Sequence, residues 1–291
     1  MYNENKTGFD TVIVRYSELA LKGKNRGLFE KVLVNNIRKC LYLNNIQYDQ
    51  ISRIRGRIHI KTSLSCTHLR NVFGISSFSQ AISTSPDIHS LKDATKKFFP
   101  SITNSVSFRI SASRSDKTVP VTSSGIEMEL GAFVVDKTKA KVSLNHFDFE
   151  VGVEIFDGSA YVFCHREKGL GGLPLGVSGK VIILFESVRS ILSAWLMMKR
   201  GCDIIVVDTG NNDENIKFLK KFSYGSKTEG IKCSIKEMAH VSYRKNINTI
   251  VSDQTLENLH EYNLSLTVLR PLIGYQEKDI NKMLNNIKKT D

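Results

Sequence analysis

One stretch of the chain, residues 169–201, restricts the possible folds more than any other. Val181–Leu184 is a run of four apolar residues, which is typical of a strand buried on both faces. After a short turn, apolar residues recur at helical spacing as far as Met198, and Gly201 marks the end of a helix. A strand, a turn and a helix in this order form the repeating unit of a parallel α/β sheet.

The turn of this unit is unusual for a nucleotide site. In nucleotide-binding α/β domains this turn holds phosphate groups, because the first amides of the helix are unpaired donors at the positive end of its dipole. Such turns are rich in glycine, since the backbone must approach the anion closely. Here the turn has no glycine and reads Phe185, Glu186, Ser187, Val188, Arg189 and Ser190. Glu186 would place a carboxylate where a phosphate should bind, so we expect an altered nucleotide site.

The positive charge of the chain is concentrated near its N-terminus. The net charge is +12, and residues 1–70 carry thirteen Lys and Arg against five Asp and Glu. Residues 71–168 are balanced, and residues 169–291 have a smaller excess of seventeen against thirteen. This asymmetry favours a polyanionic partner, most commonly nucleic acid, at the first domain.

Several classes of protein are disfavoured. There is no apolar run long enough to cross a membrane and no apolar signal core after Met1, so we expect a cytoplasmic protein without a membrane partner. The five cysteines show no C-x-x-C spacing and no histidine pair at ligand spacing, so we expect neither a metal site nor a disulfide framework.

The apolar patterns predict three α/β domains. Residues 1–70 read as β-α-β-β, the order of a ferredoxin-like domain, with a hairpin that has one basic face. Residues 71–168 read as a second α/β domain, which includes a helix begun by a capping box of Ser124 and Glu127. Residues 169–178 read as a linker, and residues 179–291 as a shortened parallel α/β domain with a helix around Gln254–Tyr262.

Several motifs resemble one family. Arg15-Tyr-Ser-Glu-Leu-Ala-Leu-Lys-Gly-Lys-Asn-Arg26 resembles the R-Y-[GS]-E-[LI]-x-L-K-G-x-N-R opening of the tRNA 4-thiouridine synthetases, the thiamine-associated tRNA sulfurtransferases. The motifs Val72–Ser79, Arg114–Lys117 and Gly171–Val181 resemble that family's THUMP domain and its exit into the catalytic domain. Ala194–Gly201, Gln254–Leu259 and Val268–Gly274 resemble its pyrophosphatase domain.

The resemblance implies a fold and a partner. It implies a ferredoxin-like and a THUMP domain that grip the acceptor end of tRNA, followed by an ATP pyrophosphatase domain, in a homodimer. The motif residues expected near RNA are Lys22, Lys24, Asn25, Arg26, Arg114 and Lys117, and the basic hairpin adds Arg53, Arg55 and Arg57. Such residues suit recognition by phosphate and shape.

The sequence departs from the family pattern at the motifs that carry the family's chemistry. The family's S-G-G-x-D-S loop corresponds to Phe185–Ser190, which keeps only the final serine. The glycine-containing half of the motif before Gln254 is also missing, and no cysteine stands in the context of the family's catalytic pair. We therefore assign no catalytic residue and expect no bound cofactor.

Two functions from the same family remain open, together with one from another class. The favoured hypothesis is a tRNA-binding protein whose ATP domain is noncatalytic. Such a protein either presents tRNA to a separate catalytic subunit or holds tRNA structure, and any sulfur carrier would be another protein. The alternative is an active, ATP- and Mg-dependent uridine-8 sulfurtransferase that makes 4-thiouridine with an unusual loop. A small-molecule α/β enzyme is supported only by the alternation of strands and helices.

Overall fold

The computed structural model describes residues 7–16, 25–54, 56–115, 121–210, 212–226 and 228–289. Contacts between Cα atoms divide the chain into two compact units. Unit 1 contains Met1–Arg15, Asn45–Thr67 and Ser77–Lys168, and unit 2 contains Tyr16–Asn44, His68–Ser76 and Gly169–Asp291. Helix α1 (Arg26–Leu43) therefore belongs to the same unit as the C-terminal part of the chain. The domain limits at 70, 168 and 178 stay a prediction.

Unit 1 is built on one sheet, which has nine strands within the described residues. Its strands are β1 (Thr11–Arg15), β2 (Gln50–Ile54), β3 (Arg57–Lys61), β4 (Ser77–Thr84), β5 (Ser107–Arg114), β6 (Lys141–Val142), β7 (Phe149–Phe156), β8 (Ser159–Phe163) and β9 (Glu167–Lys168). Their order is β2-β3-β1-β4-β8-β7-β5-β6, and β9 also pairs with β4. β5 runs parallel to β6 and β7, and the other neighbours are antiparallel.

Two helices pack on the β5–β7–β8 part of this sheet, α2 (Ile88–Thr95) and α3 (Ser123–Thr138). Alternate strand residues such as Phe108 and Val151 face the helices and are fully buried with them. The N-cap of α3 is Thr122, whose Oγ1 accepts from the Gly125 amide at 3.1 Å. The predicted capping box at Ser124 is therefore wrong, because the Glu127 carboxylate instead accepts from the Ala112 amide of β5 at 2.9 Å.

The β2–β3 hairpin corrects another expectation. Arg53 is paired across the strands with Ile58, and Arg57 is paired with Ile54. Cross-strand partners share a face and successive residues alternate between faces, so Arg53 and Arg57 lie on opposite faces. A single basic face is therefore wrong, because the pairing of Ile54 with Arg57 puts Arg57 on the face opposite to Arg53.

Unit 2 contains a parallel sheet of β10 (Lys180–Phe185), β11 (Asp203–Asp208), β12 (Glu229–Lys232), β13 (Thr249–Val251) and β14 (Thr267–Leu269). The strand order is β12-β11-β10-β13-β14, and all neighbours are parallel. The further helices are α4 (Ser190–Lys199), α5 (Asp213–Lys220), α6 (Met238–Lys245) and α7 (Glu277–Lys288). Apolar clusters bury residues from both faces of the sheet, as expected of a doubly wound domain. The predicted multidomain fold, α/β and α+β with a reduced parallel C-terminal sheet, is confirmed.

The helix predicted around Gln254–Tyr262 is wrong. Only a 3₁₀ turn, Leu256–Asn258, forms there, and an irregular segment follows it. Leu256 and Leu259 are 72% and 52% exposed, so they provide no buried stripe to hold a helix against the sheet.

Candidate functional site

The candidate site lies at the carboxyl ends of β10 and β13, which are parallel neighbours in unit 2. The loop Phe185–Ser190 follows β10, and Ser252–Thr255 follows β13. Ligands of open α/β sheets bind at this edge. Each of the residues from Ser252 to Thr255 is buried, although all four carry polar side chains.

The backbone amides of the loop are already paired inside the molecule. The Ser190 hydroxyl accepts from the amides of Glu186 at 3.1 Å and Ser187 at 3.2 Å. The Arg189 amide donates to the Ser187 hydroxyl at 3.1 Å. The amides of Ser190 and Ile191 donate to carbonyl groups of the same turn, at 3.0 and 3.2 Å. Five backbone amides that could otherwise donate to a phosphate therefore donate to groups within the loop.

A buried carboxylate supports the loop. Asp253 is only 3% exposed, and its Oδ2 accepts from the Ser187 hydroxyl at 2.5 Å and from the Ser190 hydroxyl at 2.8 Å. The exposed Glu186 adds a second carboxylate in the loop itself. Two negative groups at this position oppose a phosphate by like-charge repulsion.

The Glu186 carboxylate is held in place. Its Oε2 accepts from the Tyr262 hydroxyl at 2.6 Å, and the same hydroxyl lies 2.9 Å from Ser252 Oγ. Burial, and then the hydrogen bond to Glu186, raise the pKa of Tyr262, so the phenol stays protonated and donates. This bond joins the loop after β10 to the segment after β13.

Arg189 pairs with a carboxylate. Its Nη1 lies 3.5 Å from Oε2 of Glu277, the first residue of α7. In the alternative hypothesis, Arg189 and Lys180 supply positive charge in place of the lost loop amides. In the structure the Arg189 charge is partly compensated by Glu277.

The retained motif residues Gln254 and Arg270 are hydrogen-bonded to each other and to His260. Gln254 is 1% exposed, and its Oε1 accepts from Arg270 Nε at 2.8 Å. Its Nε2 lies 3.0 Å from His260 Nδ1, and Arg270 Nη2 donates to the His260 carbonyl at 3.2 Å. These contacts tie the irregular segment to β14. The pairing of Gln254 and Arg270 is not visible in the sequence pattern.

The loop after β11 is also closed by its own carboxylate. Asp208 accepts from the amides of Gly210 at 3.0 Å and Asn212 at 3.2 Å, and from Asn212 Nδ2 at 2.8 Å. Burial works against ionisation, but the bonds from Asn212 and Gly210 outweigh it and lower the pKa of Asp208. A second set of amides at this edge is therefore also occupied.

Burial disfavours the thiolate form of four of the five cysteines. Burial raises the pKa of Cys66 to about 12 and that of Cys164 to about 11. Burial likewise raises the pKa of Cys202 and Cys233. A thiol nucleophile needs a lowered pKa, so none of these four is poised for sulfur transfer.

Only some of the residues predicted to bind RNA lie within the described part of the chain. Lys22, Lys24, Arg55 and Lys117 lie outside the described residues. In unit 2, Asn25 is exposed immediately before α1, and Arg26 donates from Nε to Glu30 at 2.7 Å.

The remaining predicted residues belong to unit 1. Arg53 is exposed, and Arg114 Nη1 donates to the Val121 carbonyl at 2.9 Å. Arg57 Nε lies 3.3 Å from the Glu154 carboxylate. The structure does not bring Arg53 and Arg57 together on one face.

Sequence reasoning missed a cluster of arginines around Glu154 in unit 1. This carboxylate is 4% exposed and pairs with Arg15 at 2.7 Å, Arg57 at 3.3 Å and Arg166 at 3.4 Å. The Arg15 guanidinium lies 4.8 Å from the Phe163 ring centroid. Burial opposes ionisation, but the arginines hold the pKa of Glu154 below its usual value. One carboxylate against three guanidiniums leaves a net positive cluster on this face of the sheet.

Two further classes of site are absent from the described part of the chain. No helix there is both long and apolar enough to cross a bilayer. Nor do three or more His, Cys, Asp or Glu side chains among those residues come together as metal ligands.

Two known domain families match the N-terminal half of the chain. Residues 11–79 match the family described as the ThiI ferredoxin-like domain. Residues 85–165 match the THUMP domain family. The ferredoxin-like and THUMP domains expected from the sequence motifs are therefore confirmed.

Curated relatives named "Probable tRNA sulfurtransferase" match over different lengths. The relative from Thermococcus kodakarensis is 30% identical, over 94% of this chain and 86% of its own length. That from Thermus thermophilus is 31% identical, over 91% of this chain and 77% of its own length. The relative from Brevibacillus brevis is 36% identical over 66% of this chain, which spans 50% of that protein.

Two solved structures share the fold. The crystal structure of PH1313 from Pyrococcus horikoshii has a TM-score of 0.85 and 30% identity, and the match covers 96% of this chain and 99% of that one. A 4-thiouridine synthetase in complex with RNA and ATP has a TM-score of 0.80 and 22% identity, with 97% and 86% covered. At that identity the second likeness shows the fold alone.

Proposed function

This chain belongs to the tRNA sulfurtransferase family, and we propose that it binds the acceptor region of tRNA without carrying out ATP-dependent sulfur transfer. Its ferredoxin-like and THUMP domains supply the RNA-binding part. Its parallel-sheet domain serves as a scaffold, and neither ATP nor Mg is its cofactor.

The observation that carries the proposal is the hydrogen bonding of Ser190. Its hydroxyl takes the two loop amides, of Glu186 and Ser187, that would otherwise face a phosphate. Opening the loop for ATP would break these bonds and also the bond from Ser190 to Asp253. The residues present therefore do not fit a nucleoside triphosphate, and the raised pKa values of four thiols give no support to thiol chemistry.

The electrostatics support the RNA part of the proposal. The described N-terminal basic residues include Arg26 and Arg53, and the Glu154 cluster adds the half-exposed guanidiniums of Arg57 and Arg166. Acceptor stems offer phosphates and 2′-hydroxyls rather than readable base edges, which suits such side chains. The homodimer remains a prediction from the family resemblance. The cytoplasmic location and a separate catalytic subunit or sulfur carrier remain predictions from the sequence.

The test combines binding with a modification assay. The purified full chain is titrated with tRNA between about 50 and 200 mM salt, where phosphate contacts give a steep loss of affinity. The same chain is expressed in cells that lack a 4-thiouridine synthetase, and their tRNA nucleosides are measured by mass spectrometry. An active family member expressed in the same cells is the positive control.

We expect salt-dependent tRNA binding and no 4-thiouridine in the cells that express this chain. Appearance of 4-thiouridine would contradict the noncatalytic part of the proposal and favour an active enzyme. Absence of tRNA binding at low salt would contradict the RNA-binding part.

A further inference from the structure

Helix α3 of unit 1 carries two apolar stripes, and only one of them is buried. Ile126, Leu130 and Val134 face the sheet and are fully buried there. The second stripe follows the i, i+3, i+4, i+7 spacing, and we call it the outer α3 stripe: Met128, Gly131, Ala132 and Val135. Its Met128 is 71% exposed. A helix that is apolar on two sides is ordinarily buried on both, so the outer α3 stripe lacks a covering element among the described residues.

The outer α3 stripe forms one wall of a groove at the edge of the sheet. The other wall is β6 and the residues after it, where Val142 is exposed and Leu144 is 69% exposed. Phe108 and Ile110 of β5, which are buried, lie at its floor. β6 is the last strand of the described sheet at this edge, and the groove has a volume of about 600 Å³. An exposed apolar groove of this kind marks an interaction site.

The shape of the groove suits a helix better than a strand. The i, i+3, i+4, i+7 spacing of the outer α3 stripe is the one by which helices pack on each other. Gly131 and Ala132 in its middle are small, and a Cβ atom at Gly131 would meet no atom of a neighbouring element within 4 Å. A second helix can therefore approach closely. β6 has only two residues, so it offers few backbone groups to an added strand.

The rim of the groove is positively charged at the C-terminal end of α3. Residues 136–141 contain three lysines and one aspartate, a net charge of +2, and all four side chains are exposed. Asp136 pairs with Lys137 at 3.0 Å and with Lys139 at 3.9 Å. Lys141 forms no ion pair with a carboxylate of the described residues.

The acidic groups at the start of α3 already have partners. Glu127 accepts from the Ala112 amide at 2.9 Å, and Glu129 pairs with Lys92 at 3.0 Å. The unbalanced charge beside the groove is therefore positive, and it is complementary to acidic residues of a ligand.

We propose that the groove between α3 and β6 binds an amphipathic helix of a partner protein, with its apolar side in the groove and acidic residues beside Lys139 and Lys141. The inference does not depend on tRNA binding. RNA is disfavoured as the occupant, because an apolar centre with a charged rim is characteristic of protein interfaces, whereas nucleic-acid interfaces are polar.

A second copy of this chain fits the groove less well. A two-fold axis beside β6 would bring the same surface of both copies together. The lysines of the two rims, including Lys141 on each edge strand, would then lie close to one another and repel. An acidic helix would instead neutralise them.

The test starts from a phage-displayed library of helical peptides of about 15 residues, selected on the purified full chain. Selected peptides are synthesised, and their affinities are measured for the unmodified chain and for variants. The groove variant carries Met128→Glu and Val135→Glu. The control carries Tyr42→Glu and Leu43→Glu, which places the same charges on two exposed apolar residues of α1. Circular dichroism and thermal unfolding verify that both variants are folded.

We expect the selected peptides to share an apolar i, i+3, i+4, i+7 stripe with Asp or Glu beside it. Their affinity should fall at least about tenfold in the groove variant, because two apolar contacts at the centre of the interface are lost. It should change less than about twofold in the control. A third variant, Lys139→Gln with Lys141→Gln, should weaken the peptides about threefold, since it removes the charge complementarity.

Three results would overturn the proposal. The first is a selection without peptides of this pattern, or with peptides that bind the groove variant as well as the unmodified chain. The second is sedimentation of the unmodified chain as a dimer and of the groove variant as a monomer, which would assign the groove to a second copy. The third is a loss of tRNA affinity of about tenfold in the groove variant and not in the control, which would assign the groove to RNA.

Discussion

Replacing Ser190 with alanine tests whether the Phe185–Ser190 loop is held closed by one hydroxyl group. Ser190 is fully buried, and its Oγ accepts two amide hydrogen bonds and donates one to Asp253 at 2.8 Å. The Ser190→Ala variant leaves the amides of Glu186 and Ser187 without their acceptor. It also leaves the buried Asp253 carboxylate with one serine partner instead of two.

The expected loss of stability follows from these three bonds. Each orphaned amide costs about 1 kcal/mol, the low end of the range, because Glu186 is exposed and Ser187 is half-buried. The bond to the charged Asp253 contributes about 1.5 kcal/mol more. We therefore expect Ser190→Ala to lower the free energy of unfolding of unit 2 by about 3.5 kcal/mol.

The assay is urea unfolding followed by Trp195 fluorescence. Trp195 is the only tryptophan of the chain, lies in α4 and packs 5.6 Å from the Phe73 ring centroid, so its emission reports on unit 2. Ser193→Ala is the matched control, because Ser193 is equally buried in α4 but makes only one long bond of 3.5 Å, to the Ser252 carbonyl. We expect the control to cost less than about 1 kcal/mol. Equal losses in the two variants would refute the description of the loop.

The remaining predictions concern unit 1. Glu154→Gln should cost about 3–5 kcal/mol, because it leaves the buried Arg15 without its charge partner; hydrogen exchange of β1 and β7 measures this. Folding lowers the pKa of Glu154 below its ordinary value of 4.5. The stabilisation from ionised Glu154 should therefore be complete above pH 4.5 and be lost as the pH falls through the lower pKa of the folded state. Glu154→Gln should remove this part of the acid dependence of stability. Gly152→Ala should cost about 1–3 kcal/mol in thermal unfolding, since a Cβ would lie 2.3 Å from the Phe163 ring. Iodoacetamide should label Cys66 at pH 8 only after unfolding, because burial raises its pKa to about 12. Unchanged stability in either variant, or rapid native labelling, would contradict these statements.

The sequence predicts the elements whose pattern is local and strong. The structure confirms the strand predicted from the apolar run of β10 and the helix predicted from the apolar spacing of α4. A strand buried on both faces is apolar throughout, and a helix buried along one stripe is apolar at helical spacing, so each pattern can be read from the sequence. Asp157-Gly158 is a local signal of the same kind, since Asp-Gly favours a hairpin turn, and the two residues have φ of 52° and 71°. The sequence pattern predicts neither β12 nor α6, because the segment that holds them is polar and weakly periodic.

The candidate site was less accessible to sequence reasoning. The absence of glycine between Phe185 and Ser190 indicated an altered loop, but only the structure pairs Ser190 with the two amides and with Asp253. Asp253 is 63 residues from Ser190 in the chain, and no local pattern links positions so far apart. The arginine cluster on Glu154 was missed for the same reason, since Arg15 is 139 residues away.

The central claim is that a closed loop leaves this tRNA sulfurtransferase relative without an ATP site. The most direct measurement is isothermal titration of the full chain with ATP and Mg²⁺, in the absence and presence of tRNA, with an active family member as the positive control. The hydrogen bonds of Ser190 and Asp253 predict no saturable binding up to millimolar ATP in either condition. Saturable binding at micromolar ATP, with or without tRNA, would contradict the account and make the active enzyme the leading hypothesis.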